Sequence, residues 1–172
     1  GRPKRAKLQA SFDAGARILD VGCGGGHALV HFAERFPTVR CVGVDTEPYS
    51  SELARALIAA HHLESRCEAR VMSAQGLAED DAYDVATTFL VIHEIDPKDK
   101  VGAFKAISKA LKPDGSLVIY DEAYPTTDAE LRTMPTRFAA MAQWFELTWG
   151  NRLNTKPELE ELCRGAGLEI VE

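Results

Sequence analysis

The chain has 172 residues, 20 of them basic and 26 acidic, for a net charge of −6. Hydrophobic residues make up 45% and charged residues 27%, which excludes disordered and collagen-like chains and fits a single globular domain over 1–172. The acidic balance argues against a non-specific nucleic-acid binder, and no apolar run approaches the roughly 20 residues of a membrane span.

Residues 1–10, GRPKRAKLQA, are basic with no apolar core behind them, so they read as a solvated leader and not as a secretory signal. Arg17–Val21 predicts a buried strand ended by Gly22, and His27–Phe36 a helix that stops at Pro37. Arg40–Val44 predicts the second strand. Ser50–His62 predicts a helix with Ser50 or Ser51 as its cap. Cys67–Met72 and Tyr83–Phe89 are the third and fourth strands. Lys98–Leu111 predicts a helix stopped by a Lys-Pro-Asp-Gly turn, and Ser116–Asp121 the fifth strand. Lys156–Ala166 predicts a last helix and Leu168–Val171 a sixth strand.

Strands apolar along their length and alternating with helices imply a doubly wound α/β fold, a mostly parallel sheet with helices on both faces. Ligands on such folds sit beyond the carboxyl ends of the strands, where the strand order reverses. The residues that follow each strand are therefore the functional candidates.

The first strand runs into Asp20-Val21-Gly22-Cys23-Gly24-Gly25-Gly26-His27. Glycines in a strand-to-helix turn admit a ligand close to the backbone and leave helix N–H groups facing it. A dinucleotide fingerprint would need its third glycine where His27 stands, which argues against a nicotinamide cofactor. Asp45, at the end of VGVD, has the chemistry to accept both hydroxyls of a ribose.

The cysteines, Cys23, Cys41, Cys67 and Cys163, form no CxxC pair and match no zinc module. They suggest a reducing, cytoplasmic setting. His27 and His31 share a helix face near Glu34, but that spacing alone makes no metal site, and no metal is expected.

ILDVGCGGGHAL followed by VGVD resembles the class I, Rossmann-like S-adenosylmethionine-dependent methyltransferases. YDVATTFLVIHEI is similar to that family's fourth-strand motif, and LKPDGSLVIYDE to its turn and fifth strand, so the likeness covers Arg17 to Glu122. The resemblance implies S-adenosylmethionine as cofactor and S-adenosylhomocysteine as product. It implies that Gly22, Gly24 and Gly26 line the methionine part, with Asp20 near the amino group. Asp45 would take the ribose hydroxyls with Thr46 beside it. Ser73 and Ala74 would meet the adenine edge, and Phe89 the sulfonium end. Ser73 departs from the acid usual there and is the weaker acceptor.

In-line methyl transfer needs a dry, aligning pocket, and a base only where the acceptor is protonated. His93 and Glu94, just beyond the fourth strand, are the candidates for that base. The other roles open to His93 are to cover the cofactor or to cap a turn.

The segment 123–155 holds both tryptophans. Met134, Phe138, Met141 and Phe145 make one helical stripe, expected to pack on the body of the domain. The segment is also placed to roof an acceptor pocket, with Glu122, Tyr124, Trp144 and Trp149 as contacts. The chain lacks the motifs of amino-methylating DNA enzymes, of covalent pyrimidine methylation and of protein arginine methyltransferases, which favours a small-molecule acceptor. The alternatives are a cofactor-binding sensor or regulatory domain and a methyltransferase acting on RNA or protein. The family's seventh strand is expected to be absent after LEIVE. An open sheet edge, or segments outside the chain, would then support a homodimer.

Overall fold

The computed structural model describes residues 2–171, leaving Gly1 and Glu172 outside. Strands β1 (Arg17–Val21), β2 (Arg40–Asp45), β3 (Cys67–Val71), β4 (Tyr83–Phe89) and β5 (Leu111–Tyr120) form one parallel sheet in the order β3-β2-β1-β4-β5. The order reverses between β1 and β4, as expected of a doubly wound sheet. Helices α1 (Arg2–Asp13), α2 (His27–Arg35) and α3 (Pro48–Ala60) precede β1, β2 and β3 in turn, and α4 (Pro97–Ala110) joins β4 to β5. A two-strand ribbon, β6 (Ala123–Tyr124) and β7 (Asn154–Thr155), brackets α5 (Asp128–Leu131) and α6 (Met134–Thr148). Helix α7 (Lys156–Gly165) follows and packs against α4.

The pleat of the central strands divides the core. Ile18, Cys41, Cys67 and Val85 face α2 and α3, where Leu29, Ala33, Ala54 and Ile58 meet them. Leu19, Val21, Val42, Val44 and Ala86 face the other way, toward Ala103, Ile107 and Ala110 of α4. Burial on both faces explains why these strands show no polar alternation in the sequence.

Four sequence expectations change. The expected leader, mostly exposed over residues 6–10, is part of a helix that runs over Arg2–Asp13. Phe12 anchors it, buried, with its ring centroid 5.7 Å from Phe32 and 4.8 Å from Phe36. The cap of α3 is Glu47, whose carboxylate accepts the Tyr49 N–H, because Pro48 has the fixed φ that suits a first helical position. Neither Ser50 nor Ser51 serves. Residues 168–171 alternate half-buried and exposed as a strand does, but pair with no neighbour among the described residues. A strand exists by its ladder, and that sequence signal had no way to show the missing partner.

The fourth change is in α6. Met134, Phe138, Met141 and Phe145 are between 53% and 71% exposed, so the predicted stripe points outward. The inward face is Ala139, Gln143 and Glu146. Gln143 accepts the Leu153 N–H at 2.9 Å, and Glu146 reaches the site described next. Polar partners, not apolar area, orient this helix.

Candidate active site

The loops after β1, β2, β3 and β4 enclose a cleft of about 270 Å³ at the point where the strand order reverses. Gly22 begins its first wall. This residue has φ +73°, and a Cβ built on it would meet the Val91 side chain, so only glycine lets the β1 and β4 loops close on each other. The Gly22 and Cys23 N–H groups donate to the Val44 carbonyl at 2.8 and 3.1 Å, which ties the loop to β2. Gly24 donates to Asp45 Oδ2 at 2.8 Å, and the Glu47 N–H donates to Oδ1 at 2.9 Å. Asp45 thus fixes the glycine loop and the start of α3, and each of its oxygens keeps a lone pair for a ligand.

The lining has one electrostatic character. Asp45, Glu94, Asp96 and Asp99 contribute carboxylates, and no lysine or arginine lines the cleft. Val44, Met72, Ala74 and Ala103 supply its apolar floor. Asp20 does not line the cleft; it shares a sheet face with Thr87, is 2% exposed, and its Oδ1 accepts from the Thr87 hydroxyl at 2.7 Å. Burial, reinforced by the Asp45 charge and opposed by the Thr87 bond, pushes its pKa up to about 6. The neighbouring Cys23 thiol is pushed up to about 12, chiefly by burial and then by the Asp20 and Asp45 charges, and stays protonated. Such a cleft repels a pyrophosphate and attracts a cation.

His93 stands on the other side of the β4 loop. Its Nδ1 lies 2.6 Å from Asp121 Oδ1, and its Nε2 lies 3.9 Å from Glu146 Oε2. Asp121 also accepts the Ile92 and Glu122 N–H groups, both at 2.8 Å. Its side chain, 1% exposed, therefore has no freedom to turn. The Asp121 hydrogen bond raises the His93 pKa, with help from Glu146 and Glu94, against the opposing effect of burial. Glu94 lines the cleft, and burial raises its pKa while His93 lowers it.

Of the candidates read from sequence, Gly22, Asp45, Thr46, Ser73, Ala74 and Glu94 line the cleft. Asp20 does not line it. Gly24 and Gly26 belong to the loop, Gly24 beside open space and Gly26 against Ala54 of α3. Phe89 is turned to the opposite sheet face, 6.4 Å from Phe32, because it shares the pleat of Val85 and Thr87. Glu122 and Tyr124 do not line the cleft, nor do Trp144 and Trp149, which are 67% and 70% exposed on the outer side of α6. Glu34 bonds His61 Nδ1 at 2.7 Å and is not turned to His27 and His31. Among the described residues, no group of three or more His, Cys, Asp or Glu is placed to hold a metal ion. Asp121, Glu146, Gln75 and Asp99 were not singled out in the sequence. Asp121 alone carried a signal, as the last residue of a predicted strand.

The chain matches the family described as "Methyltransferase domain" over residues 2–172. It is 37% identical over 108 residues to a ubiquinone biosynthesis O-methyltransferase of Idiomarina loihiensis, covering 60% of this chain and 41% of that one. It is 31% identical over 110 residues to the mitomycin biosynthesis 6-O-methyltransferase of Streptomyces lavendulae, covering 64% and 31%. Its fold superposes on the YcgJ protein of Bacillus subtilis with a TM-score of 0.74 at 22% identity, covering 95% of this chain and 66% of that one. The chain spans half or less of the length of the curated relatives it matches. With the glycine loop, the strand order and the acidic cleft in place, the chain belongs to the class I, Rossmann-like S-adenosylmethionine-dependent methyltransferase family.

Proposed function

We propose that this domain uses S-adenosylmethionine to methylate a hydroxyl of a small-molecule acceptor. The observation that carries the reading is the cleft itself: a pocket at the strand-order reversal lined by four carboxylates and no cation, with a histidine on the loop that walls it. The residues fit the cofactor. Gly22 leaves room at the loop, Asp45 has free lone pairs for two hydroxyls, Asp20 offers buried negative charge, and Met72 with Ala74 offers an apolar floor. When bound, S-adenosylmethionine supplies an activated methyl on positively charged sulfur.

The chain's own contribution is to bind, align and move one proton. Asp121 accepts from His93 Nδ1–H, which leaves the Nε2 lone pair to take a proton from an acceptor hydroxyl. Glu146 beside Nε2 favours the protonated ring that results. Alignment of the acceptor with the methyl does most of the work. The two O-methyltransferase relatives support oxygen as the atom methylated. No described helix is long and apolar enough to cross a membrane. The four free thiols support a reducing, cytoplasmic setting.

Calorimetric titration with S-adenosylmethionine and S-adenosylhomocysteine tests the reading. Wild type is expected to bind in the micromolar range, and Asp45→Asn about tenfold more weakly, a loss of about 1.4 kcal/mol. Asn keeps one oxygen for the Gly24 or Glu47 N–H, so the loss reports lost ligand bonds more than a collapsed loop. A folded wild type that binds neither compound overturns the proposal.

A further inference from the structure

A second cavity, of about 290 Å³, adjoins the first and shares Glu94, Ile95 and Asp96 with it. His93 lines it, opposite Lys100, Asn151 and Arg152. Lys100 is only 7% exposed on α4, and its ammonium donates to Asn154 Oδ1 at 2.8 Å. No other hydrogen-bond partner stands beside that ammonium among the described residues. The Asn154 Nδ2 group is buried with no partner either. Arg152 gives one N–H to Glu158 at 2.7 Å and stays half exposed. Burial and then the Arg152 charge lower the Lys100 pKa, against the opposing charges of Asp121 and Glu158. The two carboxylates in this cavity offer it little, since Glu94 also faces the cofactor cleft and Asp96 caps α4 and pairs with Lys98.

We propose that the methyl acceptor carries a carboxylate, which Lys100 and Arg152 receive in the cavity that His93 lines. An anion there would take up the spare donors of a buried ammonium, a rearrangement worth more than the same contact at the surface. It would also hold one end of the acceptor while another end faces His93 Nε2. A cavity of this size takes a single-ring hydroxy acid. That the guest is the acceptor rests on the methyl-transfer reading; that the cavity prefers a carboxylate rests on its own residues.

The probes are 3,4-dihydroxybenzoate and catechol, the same ring and hydroxyls with and without the carboxylate. Each is titrated calorimetrically into wild type and Lys100→Met, without cofactor and with S-adenosylhomocysteine. Wild type is expected to bind the acid about tenfold more tightly than catechol. Lys100→Met is expected to abolish that preference and leave catechol binding unchanged. Methionine fills the space of the lysine stem, and the variant's far-UV ellipticity reports its folding. Arg152→Gln, at a half-exposed position, is expected to lose part of the preference and serves if Lys100→Met does not fold. Equal binding of the two probes, no binding of either, or a preference that survives the substitution overturns the proposal. Failure of S-adenosylhomocysteine to bind overturns the methyltransferase reading instead, and the carboxylate preference is still read in the cofactor-free protein.

Discussion

Replacing His93 by Gln is expected to lower turnover of a hydroxyl acceptor by about 10²- to 10⁴-fold and to leave S-adenosylmethionine affinity nearly unchanged. His93 does not line the cofactor cleft, so the loss falls on the chemical step and not on cofactor binding. Steady-state transfer of a radiolabelled methyl, beside calorimetric titration, separates the two. The pH profile gives a second readout. A base acts in its neutral form, and Asp121, then Glu146 and Glu94, hold the imidazolium on to higher pH than an ordinary histidine. The rate should therefore rise with pH through a midpoint above 6.5, the ordinary imidazole value. Asp121→Asn should move that midpoint down, because it removes the largest cause of the shift. An unchanged rate in His93→Gln would leave the histidine a covering role only.

Asp20→Asn is expected to make the free protein more stable at neutral pH and a poorer binder of cofactor. Folding raises the Asp20 pKa from 3.8 to about 6, so the folded state holds the proton more tightly than the unfolded chain does. The stability this gives is complete below 3.8 and is lost as pH rises through about 6. At pH 7.5 the buried carboxylate then costs about 3 kcal/mol. Asn carries no charge and keeps an oxygen for the Thr87 hydroxyl. Denaturant unfolding should show Asp20→Asn ahead of wild type at pH 7.5 by up to about 3 kcal/mol, with the gap closing toward pH 4. If Asp20 holds the cofactor's ammonium as proposed, S-adenosylmethionine should bind the variant about tenfold more weakly. A constant gap across the pH range would remove Asp20 as its source.

What was legible in the sequence was local or repeated along one element. The strands show as apolar runs, and the glycine turn and Asp45 stand at strand ends, where this architecture puts its ligand. The partners of His93 were not legible in the same way. Asp121 and Glu146 lie far along the chain, and only the pairing of β4 with β5 and the return of α6 bring them to it. Lys100 reads in the sequence as an ordinary surface residue of a helix. Its burial depends on Asn154 and α7, which no local period predicts. Helix α6 misled because periodicity finds a helix's apolar face and assumes that it is the inner one. Here Gln143 accepts from Leu153 and Glu146 from Asn151, polar bonds that hold the helix, and the rule gives the wrong side.

That reversal bears on how the molecule is handled. A native helix that shows Phe138, Met141, Trp144 and Phe145 to solvent offers environment-sensitive dyes a binding face before any unfolding begins. Fluorescence of such a dye would start high and rise little on heating, and would understate the stability differences between variants. The indole emission of Trp144 and Trp149 has the same weakness, because both rings are wet in the folded state. Tyr83, fully buried beneath the Arg17 guanidinium, changes its surroundings only when the sheet itself comes apart. The near-ultraviolet signal of that tyrosine, with backbone ellipticity, is the sounder gauge of melting for this chain.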